Sequence, residues 1–177
     1  MNKTSLDGKN FISKSDFKIE FRGCLDELNA QIIFMQTIFE GGNDNFNFIS
    51  DLEELRGVIL KLQKCEVTRE DFGELNLFGL SENEIHERSH NPEKYFKLGH
   101  VMPDISMKKF AAGLNLLRTK IRHAEIISCR AFENESDKNN KNNKNISHVL
   151  NRLSSAVYIL IYKYLPDDFN KILKFGR

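Results

Sequence analysis

Residues 118–125 read R-T-K-I-R-H-A-E and lie inside a proline-free run, Met107 to Phe132, that is rich in helix-favouring residues. The run predicts one long helix. Its buried face is marked by an apolar stripe at helical spacing: Leu114, Leu117, Ile121 and Ala124. Arg118, Arg122 and Glu125 follow one another at i, i+4 and i+7, so a charged stripe runs beside the apolar one.

Two interpretations of this charged stripe are open from its spacing alone. Ion pairs at i, i+3 and i, i+4 are common on solvated helix faces. Alternatively, guanidinium groups bind phosphate oxygens in bidentate fashion, and a nearby carboxylate orients a guanidinium or reaches a metal ion. The remainder of the chain has to decide between a solvated face and an anion site.

Most of the chain reads as helix, with very little strand alternation. Further helical patterns are the stretch from Leu25 to about Gly41, Phe48 to Cys65, a short helix Glu82 to Arg88, and Ile146 to Pro166. We therefore predict an all-α bundle of four to five helices forming a single domain over residues 1–177. Residues 1–20 are predicted to be irregular, and the Asn- and Lys-rich residues 133–145 to be a mobile loop.

Composition excludes several classes of protein. The 177 residues carry a net charge of +1, which argues against a broad nucleic-acid or anionic-membrane surface. Cys24, Cys65 and Cys129 lack C-x-x-C spacing, so neither a disulfide framework nor a cysteine zinc site is predicted. The N-terminus has no apolar signal region, and no apolar run is long enough to span a bilayer, so we expect a cytoplasmic protein.

Residues 86–90 match H-E-x-x-H, a spacing that places two imidazoles on one helix face for zinc. The context does not fit a zinc hydrolase, because Arg88 and Ser89 are polar and Asn91-Pro92 stops the helix at once. No signature marks a third ligand. We therefore expect no zinc chemistry here.

Three blocks of the chain resemble the corrinoid adenosyltransferases, enzymes that transfer the 5′-deoxyadenosyl group of ATP to the cobalt of cob(I)alamin. Residues 118–125 resemble the family's R-x-x-x-R-R-A-E helix, with His123 in place of the second arginine of the pair. Residues 149–154, V-L-N-R-L-S, resemble F-L-N-R-L-S, and residues 23–30, G-C-L-D-E-L-N-A, resemble G-T-x-D-E-L-x-A. The family fold is a trimeric helical bundle with each site at a subunit boundary.

One further stretch indicates a particular branch of this family. It comprises residues 85–96, I-H-E-R-S-H-N-P-E-K-Y-F, followed by Gly99-His100. These resemble the ethanolamine-utilisation type. Members of that branch can carry an N-terminal metal-binding extension with a paired-cysteine motif. The present chain is expected to be a short form without it.

The resemblance also implies a phosphate-binding segment. Residues 2–10, N-K-T-S-L-D-G-K-N, align with a family loop that reads approximately T-K-T-G-D-x-G-x-S. Lys3, Thr4 and Gly8 fit this loop, whereas Ser5 and Leu6 replace a glycine and an aspartate. Since glycine permits close backbone approach to phosphate, the departure predicts weaker or reshaped triphosphate binding.

Roles for individual residues follow from the resemblance. Arg118, Arg122 and Glu125 are the expected catalytic residues, with Glu125 orienting guanidinium groups or assisting Mg²⁺ and the ribose. The expected ligand-binding residues are Lys3, Thr4, Gly8, Lys14, Asn151, Asp26, Arg152, Tyr95, Phe96 and His100. Among them, Arg152 is expected to pair with Asp26. Some of the others are expected to form a wall against the corrin ring. In this wall His100 stands where the family often has a phenylalanine, so Tyr95 or Phe96 is expected to supply the aromatic surface.

The implied ligands are ATP, Mg²⁺ and cobalamin, and the implied partners are further copies of the chain in a homotrimer, a reductase and an adenosylcobalamin-dependent lyase. No nucleic acid or membrane is expected, and association with a bacterial microcompartment is left open. Two alternatives to the transferase remain. One is a corrinoid carrier or escort without turnover on the same fold, and the other is a helical scaffold that binds neither ATP nor corrinoid.

Overall fold

Six helices dominate the computed structural model, which describes residues 2–5, 11–40, 46–133 and 140–169. In chain order the elements are β1 (Lys3–Ser5), β2 (Phe11–Ser13), α1 (Phe17–Phe39), α2 (Phe46–Thr68), β3 (Asn76–Leu77), β4 (Leu80–Ser81), α3 (Glu82–His90), α4 (Pro92–Phe96), a 3₁₀ turn (Ile105–Met107), α5 (Lys108–Phe132) and α6 (Asn140–Lys163). None of the helices in these ranges has the length and apolar character that crossing a bilayer requires.

The core lies between α5 and its neighbours. Helix α5 packs on α6 and α1, α1 packs on α2, and α3 packs on α6. The four residues of the predicted apolar stripe on α5 are all buried, with exposures of 0 to 1%. The all-α bundle is therefore confirmed, and the stripe fixes which face of α5 remains available for the charged residues.

The N-terminal segment differs from the prediction. Strands β1 and β2 pair antiparallel, with Lys3 opposite Ser13, so the described part of residues 1–20 includes a small hairpin. Helix α1 then begins at Phe17, capped by the Asp16 carboxylate, which accepts a hydrogen bond from the Lys18 amide at 2.9 Å. Three-residue strands are too short to show a period-two pattern, which is why the sequence alone reads as irregular.

Helix α3 has the clearest local encoding in the chain. Ser81 caps its N-terminus, and Glu84 completes a capping box by accepting a hydrogen bond from the Ser81 amide at 2.9 Å. Asn91 follows the last residue, and Pro92 starts α4, where its missing N–H costs nothing. The predicted stop is confirmed, although the helix extends to His90, two residues beyond the predicted end.

Helix α6 begins at Asn140, six residues before the predicted start at Ile146. Composition alone predicted a loop as far as residue 145, and this is wrong for residues 140–145. Once the apolar face from Ile146 is packed, each preceding turn extends an existing helix and avoids the cost of nucleation. Residues 134–139, the remainder of the predicted loop, lie outside the described residues.

Candidate active site

A cavity of about 450 Å³ opens between α5, α6 and the loop of residues 97–107. Arg118 and Arg122 line it from α5, Ser154 and Tyr158 line it from α6, and His100 lines it from the loop. The end of α3 adds Ser89 and His90, and the apolar part of the lining comprises Val101, Pro103, Met107 and Ile161. Two of the three predicted catalytic residues therefore share one cavity.

Arg118 is held against an aromatic ring. Its guanidinium carbon lies 5.1 Å from the centroid of the Tyr158 ring, within the range of a cation–π interaction. Arg122 follows one turn later and is exposed. Because α5 buries its apolar stripe against the bundle, the two guanidinium groups project from the same side of the helix. The two arginines carry only hydrogen-bond donors and positive charge, which suits an anion, and Asn115 adds an amide on the same side.

Glu125 and Asn151 meet across the α5–α6 interface. The Asn151 Nδ2 donates a hydrogen bond to the Glu125 Oε1 at 2.9 Å. Both side chains are half-buried. The third predicted catalytic residue is therefore oriented by a predicted nucleotide-binding residue, one turn beyond Arg122.

The predicted pair between Arg152 and Asp26 is not formed within the chain. The Arg152 Nε donates to the Glu82 Oε1 at 3.3 Å, and Asp26 accepts a hydrogen bond from the Gln63 Nε2 at 2.7 Å. Burial acts to raise the pKa of Glu82, but hydrogen bonds and charge from His148 and Arg152 outweigh it, and the pKa lies below its ordinary value. Within one chain, Arg152 lies within reach of α3 instead, because α6 packs on that helix.

Of the three residues predicted for the aromatic wall, only His100 lines the cavity. Tyr95 donates its hydroxyl to the Glu87 Oε1 at 2.5 Å, and Phe96 stacks on Tyr162 with centroids 4.7 Å apart, so neither ring lines the cavity. Tyr158 and His100 line it instead. Sequence reasoning missed Tyr158, although it lies one turn after Ser154 on the same helix face as the N-R-L-S block.

The rings of His86 and His90 lie next to each other, with centroids 4.2 Å apart, but they have different polar partners. The Arg152 Nη1 lies 2.7 Å from the His86 Nδ1, and its positive charge is the largest of the effects that lower the pKa of His86. His90 lines the cavity. Among the residues with described positions, no group of three His, Cys, Asp or Glu side chains is arranged to hold a metal ion.

The described part of the predicted phosphate segment, residues 2–5, lies in the N-terminal hairpin. Lys3 and Lys14 are exposed and Thr4 is half-buried, and the Lys14 amide closes the hairpin by donating to the Asn2 carbonyl at 2.9 Å. The cavity lining includes none of these three residues. Gly8 and Leu6 lie outside the described residues. Of the predicted residues on α5 and α6, Arg118 and Arg122 line the cavity, Glu125 and Asn151 pair with each other, and Arg152 pairs with Glu82.

A helical bundle with an arginine-lined cavity between α5 and α6 places the protein in the all-α class. The family described as cobalamin adenosyltransferase matches residues 1–164 of this chain. The chain belongs to that family.

Curated relatives narrow the resemblance within the family. The chain is 32% identical over 158 residues to the corrinoid adenosyltransferase EutT of Escherichia coli K12 and 30% identical to that of Salmonella typhimurium. Each match covers 89% of this chain and 57% of the relative. The chain therefore spans somewhat more than half the length of these relatives.

A solved structure supports the fold. It is a variant PduO-type ATP:corrinoid adenosyltransferase from Lactobacillus reuteri, complexed with cobalamin and ATP. The two chains are 18% identical, with a TM-score of 0.66 over 98% of this chain and 91% of that one. At this identity the likeness establishes the common fold.

Proposed function

We propose that this protein is an ATP:cob(I)alamin adenosyltransferase. In the reaction, cobalt(I) supplies an electron pair to the 5′-carbon of ATP, a cobalt–carbon bond forms, and the bond from that carbon to the triphosphate oxygen breaks. The products are adenosylcobalamin and triphosphate. Because the corrinoid substrate is itself the nucleophile, the protein needs no nucleophilic side chain and acts by positioning and by stabilising charge.

The proposal rests chiefly on the cavity that Arg118 and Arg122 line beside the Glu125–Asn151 pair. The triphosphate leaving group carries about four negative charges, and guanidinium forks bind such oxygens in bidentate fashion. Arg118 is already held on the Tyr158 ring, so little side-chain entropy remains to be lost when an anion binds. Arg122 is exposed and available to the same anion.

Glu125 is the protein group that fits Mg²⁺. Its Oε1 accepts from Asn151, which fixes the orientation of the carboxylate. Mg²⁺ usually takes one or two carboxylates together with substrate phosphates and water, so a single glutamate beside a triphosphate is a sufficient protein contribution. When bound, Mg²⁺ would neutralise charge on the phosphate oxygens, while Asn151 keeps the carboxylate facing the nucleotide.

The loop side of the cavity suits the corrin. Val101, Met107 and Ile161 give it an apolar surface, and the Tyr158 ring adds an aromatic one. Such a surface excludes water and a lower axial ligand from cobalt(II), which makes reduction to cobalt(I) easier. His100 makes part of this side polar, and Tyr158 takes the aromatic role that was expected of Tyr95 or Phe96.

A homotrimer would complete the site. Exposed apolar side chains follow the outer faces of α1 and α5, and we call them the outer apolar surface: Ile33, Phe34, Ile38, Leu116 and Ile126, 43 to 58% exposed. Contiguous exposed apolar surface is typical of an interface. In the trimer the segment that carries Lys3, Thr4, Gly8 and Lys14 in one copy would meet the arginines of its neighbour, and Asp26 would exchange Gln63 for a neighbour's Arg152.

An anaerobic assay with chemically reduced cobalamin and ATP tests the proposal. The transferase forms adenosylcobalamin and triphosphate in equal amounts. A carrier or escort binds the corrinoid without turnover, an alternative favoured by Ser5, whose side chain stands in the paired strand β1 where the family loop has glycine. A scaffold binds neither ligand. We place the protein in the cytoplasm, supplied by a reductase and delivering its product to an adenosylcobalamin-dependent lyase.

A further inference from the structure

Two imidazoles, those of His90 and His100, line the same cavity as the two arginines. They come from separate parts of the chain, the end of α3 and the loop before α5. A neutral imidazole has one N–H donor and one acceptor nitrogen, and the partner of one nitrogen fixes the character of the other. The hydrogen bonds around each ring therefore determine what it offers to a ligand.

His90 has its proton on Nδ1. This nitrogen lies 2.9 Å from the His86 carbonyl oxygen, which can only accept. Ser89 also donates its hydroxyl to the His86 carbonyl, at 3.0 Å, and its oxygen lies 3.2 Å from the same Nδ1. A lone pair on Nδ1 would face the carbonyl lone pairs, so Nδ1 must be the donor. The Nε2 of a neutral His90 is therefore an acceptor.

A series of hydrogen-bonded hydroxyl groups determines the tautomer of His100 in a similar way. The Tyr162 hydroxyl donates to the Gly99 carbonyl at 2.9 Å, and this uses its only hydrogen. At the 2.8 Å contact between the two hydroxyls, Tyr158 must therefore donate to Tyr162. The His100 Nδ1 lies 3.0 Å from the Tyr158 oxygen, which has no hydrogen left to give. Nδ1 must donate, and the Nε2 of a neutral His100 is also an acceptor.

The cavity thus has two chemically different parts. Arg118 and Arg122 offer only donors and positive charge, whereas His90 and His100 each offer one acceptor nitrogen. An anionic group belongs with the arginines. The acceptors match a neutral group that carries N–H, because a carboxylate or phosphate oxygen would place lone pair against lone pair.

We propose that His90 and His100 select the corrinoid by accepting hydrogen bonds from the primary carboxamides at the edge of its ring. This inference rests on the proposed function and adds a specificity to it. Corrinoids in which these carboxamides are carboxylates cannot donate, and they are rejected. Tyr158 is a positioning residue for this selection, since its hydroxyl keeps the proton of His100 on Nδ1.

The first test measures the tautomers by ¹⁵N NMR of the ligand-free protein, labelled at its five histidines and recorded at a pH where the rings are neutral. We expect two rings with Nδ1 protonated and Nε2 bare, assigned to these positions by the loss of one signal each in His90→Gln and His100→Gln. Tyr158→Phe should remove the preference for the Nδ1-protonated tautomer in His100 and leave His90 unchanged. A proton on Nε2 of either ring in the wild type would overturn the inference.

Tyr164→Phe is the matched control for Tyr158→Phe. Its hydroxyl donates to the Asp51 Oδ2 at 2.6 Å, away from the cavity, so the change also removes one tyrosine hydrogen bond, here directly after the end of α6. A merely structural effect of losing a tyrosine hydroxyl would appear in both variants. Only the Tyr158 variant should alter the His100 signal.

The second test measures affinity and therefore does not depend on turnover. Cobinamide, which keeps its carboxamides, and cobyrinic acid, in which the ring-edge groups are carboxylates, are titrated into the protein and followed by their absorbance. The preference for cobinamide should fall about tenfold in His100→Phe and again in His90→Phe, with ATP affinity unchanged. An unchanged preference in both variants would overturn the inference. Absence of adenosyl transfer with an intact preference would instead count against the proposed function.

Discussion

The Asn151 Nδ2 donates a hydrogen bond to the Glu125 Oε1 at 2.9 Å and thereby joins α5 to α6. The two residues are 26 positions apart in sequence. The bond uses one carboxylate oxygen and leaves the other for a ligand. Within the proposed site, Asn151 therefore acts on the nucleotide partly through the orientation it gives to Glu125.

Exchanging this pair separates its structural role from its role in binding. Asn151→Asp should weaken ATP affinity about tenfold or more and destabilise the fold, because it sets two carboxylates against each other. Adding Glu125→Gln restores a donor–acceptor pair in the reverse direction. The double variant should recover the free energy of unfolding, measured in urea, without recovering ATP affinity. Recovery of both quantities would show that the position of the carboxylate is unimportant.

Arg122→Ala should lower kcat for adenosyl transfer about a hundredfold or more, because it removes a charged donor from the leaving group. The side chain is exposed, so the fold should be preserved. Arg56→Ala is the matched control, since Arg56 pairs with Glu53 on α2 at 2.7 Å and lies outside the cavity. Near-normal turnover in Arg122→Ala, measured under saturating ATP, would exclude the role assigned to it.

The contacts of Glu82 with His148 and Arg152 predict a pH dependence of stability. The folded-state pKa of Glu82 is below the ordinary value of 4.5, so its contribution is present above about pH 4.5 and is lost as the pH falls through the folded pKa. Glu82→Gln should cost about 1 kcal/mol at pH 7 and progressively less in acid. Urea unfolding at a series of pH values measures this, with Glu74→Gln, at an exposed position, as the control. A pH-independent difference would contradict it.

Ser81→Ala should destabilise the protein by about 1 kcal/mol, because it removes the N-cap of α3. The same change should weaken corrinoid binding, since α3 delivers Ser89 and His90 to the cavity. Ser81→Thr keeps a capping hydroxyl and should restore most of both quantities. Thermal unfolding and corrinoid titration measure them. Equal losses in the alanine and threonine variants would show that the cap is not responsible.

Phe34→Asp should convert the proposed trimer to folded monomers. The Phe34 side chain is 58% exposed within the outer apolar surface, and a charge there opposes burial in an interface. Light scattering gives the mass and circular dichroism the helix content. Phe46→Asp changes an exposed phenylalanine at the start of α2 and should remain trimeric. A wild-type monomer at micromolar concentration would refute the trimer itself.

The sequence predicted the α5 helix well because one continuous apolar stripe determines both its extent and its buried face. Arg118 and Arg122 follow from that face, since a helix with one side buried leaves few positions for charge. Helix α3 could be predicted from the sequence equally well, because its capping box and the proline after it are local signals.

Contacts between distant parts of the chain could not be predicted from the sequence in the same way. The Tyr158 ring under Arg118 depends on how α6 is rotated against α5, which no local pattern encodes. Arg152 was assigned to Asp26 by resemblance, yet the packing of α3 on α6 gives it Glu82 and His86. The start of α6 was missed because a polar composition was weighed without the packed helix that follows it.

The guanidinium of Arg152 beside His86 also bears on how such chains are classified. Five letters at residues 86–90 would sort this protein with zinc peptidases, while a side chain 66 positions away gives the first histidine a cation for a neighbour. A contact between two distant positions thus adds to the local signal, the helix stop at Asn91-Pro92, that separates the two classes. Across an alignment of relatives, positions 86 and 152 should therefore change together, and a profile that treats each column independently would miss this signal.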